Sequence, residues 1–271
     1  MRPEGDELHV MSFNLRFASD TPPHSWPERR PLVADLLRRE APHVLGTQEG
    51  LHDQLDDVRS DLPGHYDDIG QGRDGGTAGE AMQVFFDTRR LRAVEHRHYW
   101  LSDTPEVAGS ETWGGSCPRM VTWVRFEDRR TGGQLYLVNT HLEAFGTRAR
   151  ERGAALLRQR TSDDLDPALP VVVTGDFNEP AAPTSPAYDA LVTRGPFVDT
   201  WVEAEERGPD LGTFHDWQPP TPGGDRIDWI LTTPGVRTTH AVANAYERDG
   251  DRPSDHLPVQ ALLELPQAKR S

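Results

Sequence analysis

The chain has 271 residues, 44 acidic against 29 basic, giving a formal net charge of −15, and its mean hydropathy is −0.68. No apolar run reaches the roughly 20 residues that cross a bilayer, and Met1–Glu7 lacks the apolar centre of a secretory signal, so a cytoplasmic protein with no membrane partner is the expectation. Basic residues cluster only in pairs such as Arg29-Arg30, Arg38-Arg39 and Arg129-Arg130, which speaks against tight duplex binding through many phosphate contacts and for a small phosphorylated substrate over a long nucleic acid.

Taken in chain order, Leu8–Arg16 alternates as a strand. Trp26–Ala41 has Leu32, Val33, Leu36 and Leu37 on one helical face, and His43–Gln48 is a short strand. Leu51, Leu55, Val58 and Leu62 mark a second amphipathic helix. A glycine-rich loop over Gly70–Gly79 precedes strands at Ala81–Asp87 and Leu91–Leu101, and a loop covers Ser102–Pro118. Arg119–Glu127 and Gln134–Thr140 flank a hairpin turn, then Thr147–Arg160 is helical. The Val171 strand follows, then a short helix at Ser185–Val192 with Pro186 in its first turn. Strands at Phe197–Trp201, Arg226–Leu231, Thr239–Ala245 and Leu257–Leu265 complete the chain, and the last six residues are expected to be a tail. Strands outnumber helices and several are adjacent hairpins, which predicts an α+β architecture: one domain over 1–271, core about 8–265, of two packed mixed sheets with helices outside.

Chemistry collects at strand ends. Val171–Thr174 is an apolar β-branched run that breaks into Gly-Asp176-Phe-Asn178, and period-two alternation puts those two polar side chains on one side. Asn14, Gln48-Glu49, Asn139 with His141, and Asp255-His256 occupy similar places, and Asp228 lies within an apolar strand. Buried polar groups need partners, because leaving one unpaired costs about 1 to 3 kcal/mol. Carboxylates and amides suit a hard cation such as Mg²⁺ or Mn²⁺, and two histidines suit proton transfer and contact with phosphate oxygens. Asp228 is placed to orient a histidine ring, but no Gly-x-Ser-x-Gly elbow accompanies it. Metal-assisted attack of water on phosphorus therefore fits this inventory better than acyl transfer. The one cysteine, Cys117, excludes an internal disulfide, and Trp123 stands six positions on, where a cysteine phosphatase needs arginine.

The ordered set Asn14, Gln48-Glu49, Asn139-Thr-His141, Gly175-Asp-Phe-Asn178, Asp228 and Ser254-Asp-His256 resembles the signature of the endonuclease/exonuclease/phosphatase superfamily from about Leu8 to Leu265. Ser25-Trp26-Pro-Glu-Arg29, Gly72-Arg-Asp-Gly and Pro118-Arg119 add similarity to its compact bacterial members of unassigned substrate. The resemblance implies a four-layer α/β/β/α sandwich like that of DNase I, and a metal-dependent phosphoric ester hydrolase using in-line attack by an activated water. It implies Glu49 as principal metal ligand, helped by Asn14 and Asp255. Asp176 would activate the water and Asn178 would hold a phosphate oxygen. His256, oriented by Asp228, would contact the scissile phosphate, which His141 polarises from another side. Asn139, supporting its loop, joins Arg119 and His215 in the expected substrate-binding set.

Other signals carry less. Gly70-Gln-Gly72-Arg-Asp-Gly75 matches a dinucleotide pattern, but a strand follows it where a helix is required, so it is expected to rim the site as a loop. His96 and His98 share a strand face without a third zinc ligand. Trp217 beside His215 and the tryptophans Trp26 and Trp113 are candidates for the site mouth. A nuclease acting on DNA or RNA is the alternative function. A lipid phosphodiesterase fits less well, since no apolar hairpin is visible. The residues carry no signal for oligomeric state.

Overall fold

In the computed structural model, which describes residues 1–266, the strand Leu8–Asn14 (β1) is buried at every position. It is buried because both of its faces are covered. Val44–Gly50 (β2) pairs parallel to β1, Ala81–Asp87 (β4) pairs antiparallel to β2, and Val259–Glu264 (β13) pairs antiparallel to β1. Tyr66–Ile69 (β3), Arg237–Ala243 (β12) and the two-residue Glu206–Arg207 (β10) extend this sheet to the order β10-β12-β13-β1-β2-β4-β3.

The second sheet repeats the central pattern. Gln134–His141 (β7) and Val171–Asp176 (β8) are parallel, with Met120–Asp128 (β6) and Asp228–Thr232 (β11) antiparallel on either side. Leu91–Trp100 (β5) and Val198–Asp199 (β9) close the order β5-β6-β7-β8-β11-β9. Antiparallel neighbours begin where the parallel strands end. The starts of β4, β6, β11 and β13 therefore meet the ends of β1, β2, β7 and β8 at one edge of the sandwich.

Alternation sorts the side chains into layers. Leu8, Val10, Val44, Leu135, Leu137, Val172 and Ile230 fill the space between the sheets. Met11, Phe13 and Leu45 face outward against Trp26–Glu40 (α1) and His52–Asp61 (α2). Val138, Val173 and Trp229 face outward against Thr147–Asp164 (α3) and Pro186–Tyr188 (α4). The four layers α/β/β/α follow from this sorting. Near the shared edge the same inner face turns polar: Ser12 and Asn14 continue the parity of Val10, Thr174 and Asp176 that of Val172, and Asn139 and His141 that of Leu137.

Three local expectations change. Tyr66–Ile69 is an edge strand whose two central aspartates hide its alternation. Ser185–Val192 starts as α4 but widens into a π-helical turn over Asp189–Thr193. Phe197–Trp201 contributes only β9, because the Asp199 side chain accepts the Trp201 N–H and starts a short helix, Thr200–Glu203 (α5). Of the expected tail, residues 267–271 lie outside the described residues.

Candidate active site

Glu49 is the exception to the inner-face parity. Alternation from Gln48 would turn it outward, but the β2–β4 register slips between Thr47 and Gly50 and Glu49 adopts φ 64°. This bulge re-aims its carboxylate into the gap between the sheets. There Asn14 Nδ2 donates to Glu49 Oε1 at 2.9 Å and to Asp176 Oδ2 at 3.0 Å. Asn14 Oδ1 accepts the Arg16 backbone N–H at 2.9 Å, which fixes the sense of the amide. Glu49 Oε2 accepts the Phe17 N–H at 3.2 Å. Asn14 thus brackets two carboxylates from opposite sheets.

Asp228 opens β11 directly opposite Asp176 on β8, and its Oδ2 lies 2.9 Å from His256 Nδ1. Burial works to lower the His256 pKa, but the Asp228 and Asp176 carboxylates outweigh it and lift the ring to about 10. The imidazolium persists at neutral pH, with Nε2 3.8 Å from Asp176 Oδ2. Burial first, then the Asp228 charge, pushes the Asp176 carboxyl well above the ordinary carboxylate range.

His141 behaves in the opposite way. Burial, then Arg119, His256 and Arg73, holds its pKa well below the usual value, so it stays neutral. Its Nε2 lies 2.9 Å from Asn178 Nδ2, which also donates to Leu142 O at 3.0 Å, and 3.4 Å from Asp176 Oδ2. Asn178 sits at φ 52°, and its own N–H closes a tight turn onto Asp176 Oδ1 at 2.9 Å. Two histidines of unlike charge therefore flank one carboxylate.

The donor set fits a divalent cation. Ligand atoms of Glu49, His141 and Asp176 lie within 4.8 Å of one another, as do those of Asp176, Asp228 and His256. Glu49 and Asp176 supply the oxygens that a hard ion prefers. Two expected ligands are disposed otherwise. Asn14 presents its NH₂ to the carboxylates, and an amide nitrogen that donates cannot ligate. Asp255 falls outside both groups, with Oδ2 3.6 Å from Arg16 Nε, while Arg16 Nη1 is 3.9 Å from Glu49.

The expected substrate contacts divide. Asn139 is fully buried: Oδ1 accepts Gln48 Nε2 at 2.8 Å and Thr174 Oγ1 at 3.0 Å, and Nδ2 donates to Thr47 O and Gln83 O. It joins the two sheets and has nothing left for substrate. A β-carbon on Gly46 would come within 2.6 Å of its Oδ1, so the sheets close here on a glycine. His215 is buried at 7% exposure, whereas its neighbour Phe214 is 48% exposed, with its ring centroid 5.0 Å from that of His256. The segment was legible but the outward residue is Phe214. Arg119 Nε lies 3.4 Å from Glu143 Oε2 and its buried Nη1 has no protein partner among the described residues. Arg73, within the Gly72-Arg-Asp-Gly stretch and bonded to Glu80 at 2.6 Å, is a further cation on the His141 side that is not among the expected site residues. Trp26 and Trp113 are buried against the outer layers, and Trp217 stacks on His24 at 3.9 Å.

The family model described as the Endonuclease/Exonuclease/phosphatase family matches residues 11–256. A mannosyl-6-phosphatase of Bacteroides thetaiotaomicron is 32% identical, with a TM-score of 0.88, over 95% of this chain and 100% of that one. A family protein from Bacteroides vulgatus is 32% identical, with a TM-score of 0.90, over 96% of this chain and 99% of its own. The human Nocturnin catalytic domain shares the fold at 19% identity and a TM-score of 0.74, over 98% and 97% of the two chains.

Proposed function

Because this chain belongs to the endonuclease/exonuclease/phosphatase family, we propose that it is a divalent-cation-dependent hydrolase of a small phosphorylated substrate, with a sugar phosphate monoester as the leading class. The observation that carries this reading is the joined set Asp228–His256–Asp176–Asn14–Glu49 at the polar edge of the inter-sheet layer. It combines an imidazole donor, a carboxylate for the water's proton and an anionic cation seat within one cluster. The net charge of −15 and the 32% identity to a mannosyl-6-phosphatase support the small substrate.

Glu49 would be the principal seat of the cation, assigned to Mg²⁺ or Mn²⁺ by its oxygen chemistry. When bound, the ion supplies positive charge to the phosphoryl oxygens. The protein's own groups do the rest. Asp176, bracketed by Asn14 and the two histidines, aligns the attacking water and accepts its proton. His256 donates from Nε2 to a phosphoryl oxygen, held in plane by Asp228. Asn178, whose Nδ2 also donates to Leu142 O at 3.0 Å, holds the His141 ring in place, and neutral His141, whose Nδ1 is buried without a protein partner among the described residues, faces the same pocket. Phe214 offers an apolar wall to the leaving group beside His256.

The test is turnover of sugar phosphates, nucleotides, inositol phosphates, a phospholipid and single- and double-stranded nucleic acid, with Mg²⁺, with Mn²⁺ and with EDTA. Hydrolysis of small monoesters that EDTA and Asp176→Asn abolish is the expected result. Comparable cleavage of nucleic acid would replace this reading with a nuclease.

A further inference from the structure

Arg29, the last residue of Ser25-Trp26-Pro-Glu-Arg29, is 1% exposed and bonds to no carboxylate among the described residues. Each of its five N–H groups meets a backbone carbonyl instead. Nε donates to His24 O at 2.9 Å, Nη1 to Leu15 O at 2.6 Å and Pro253 O at 3.0 Å, and Nη2 to Arg16 O at 2.9 Å and Phe17 O at 3.2 Å. One guanidinium therefore ties the chain just after β1, the turn before α1, and the residue before Ser254-Asp-His256.

The carbonyls it holds belong to consequential peptide units. Leu15 C=O shares its plane with the Arg16 N–H, and Arg16 C=O shares its plane with the Phe17 N–H. In a trans peptide the two groups point in opposite directions. Drawing both carbonyls towards Arg29 thus turns both N–H groups towards the site, where they meet Asn14 Oδ1 at 2.9 Å and Glu49 Oε2 at 3.2 Å. A charged donor also polarises each unit and strengthens the outgoing bond. Across the same hub, the Pro253 tie holds the segment in which Ser254 Oγ donates to Asn14 O at 2.7 Å. Asp255 and Glu49 balance the buried charge, although burial still draws the guanidinium pKa down to about 10.

We propose that Arg29 is a positioning residue for the cation seat: it fixes two peptide units whose N–H groups set the carboxylate of Glu49 and the amide of Asn14, without touching substrate. The metal arm of this inference rests on the function proposed above. Lysine has three donors on a point charge and cannot span five carbonyls in three segments.

The experiment compares wild type, Arg29→Lys and Arg90→Lys, the last altering a buried arginine at the far edge of the sandwich. Mg²⁺ affinity is read by calorimetry, stability by urea unfolding, and the Arg16 and Phe17 amides by hydrogen exchange. Arg29→Lys is expected to weaken Mg²⁺ binding by about 10- to 100-fold, the range for residues that orient metal ligands, and to deprotect both amides. Arg90→Lys should lose stability while keeping wild-type Mg²⁺ affinity. Unchanged Mg²⁺ affinity and amide protection in Arg29→Lys overturns the inference, as does an equal loss in Arg90→Lys. Should Arg29→Lys fail to fold, the wild-type amides decide: protection without metal supports a preset seat, and free exchange overturns it. A wild type that binds no Mg²⁺ refutes the metal reading above, and the same exchange comparison then judges Arg29 alone.

Discussion

The two edges of the sandwich both bury charge and treat it differently. At the edge away from the site, Arg90 donates to both oxygens of Asp128 at 2.8 Å, to Glu7 O at 3.1 Å and to Asp6 O at 2.7 Å, and Asp128 also accepts the Arg130 N–H. That pair closes on itself. At the site edge, His141 Nδ1, Asp228 Oδ1 and Arg119 Nη1 are buried without a protein partner among the described residues. Buried polar atoms that remain open are costly to maintain; others occur elsewhere in the fold, such as His9 Nδ1 and Gln260 Nε2, but His141 and Asp228 both flank Asp176. Closure marks a structural ion pair; open valence around a perturbed acid marks a working one.

Substitutions can break this contrast. The largest effect belongs to Asp176→Asn, which should lower kcat by about 10³-fold or more while urea unfolding shows a folded protein; near-normal turnover would remove Asp176 from the chemistry. Asp128→Ala should do the reverse, costing about 3 to 5 kcal/mol of stability by stranding Arg90, with kcat of the folded fraction unchanged. A smaller effect comes through pH. Burial holds His9 down to about 4, against the hydrogen bond that its Nε2 donates to Gln260 Oε1, so the folded protein keeps it neutral. Its contribution is intact above pH 6.5 and is lost as pH falls towards 4. His9→Gln should make the acid limb of stability shallower by about 1.4 kcal/mol per pH unit, one proton's share, in unfolding curves across that window. The mildest is Phe214→Ala, expected to raise KM about 3- to 10-fold, the worth of one aromatic contact, with little change in kcat.

Much of this was legible in the sequence because strand parity and abrupt polar ends are local signals. Val171–Asp176 announces both its burial and the side on which Asp176 emerges. What the sequence hides is whatever the opposite sheet decides. Asn139 looks like a site residue until Gln48, Thr174 and the carbonyls of Thr47 and Gln83 consume its hydrogen bonds. The orientation of the Asn14 amide is set by a backbone N–H two residues on, which composition does not encode. Glu49 is misread by parity alone, since only the bulge turns it inward. His215 and Phe214 are adjacent letters whose exposures are settled by the bridge between Phe214 and His256.

Asn14 and Glu49 come from one sheet, His141, Asp176 and Asp228 from the other, and His256 from the approach to β13. Neither half holds a complete constellation. Catalysis is therefore a direct gauge of docking between the halves: a chain with all its strands formed but its sheets apart is inert. Enzymatic activity followed during refolding would time the last assembly step, a moment that circular dichroism, sensitive to each sheet separately, passes over.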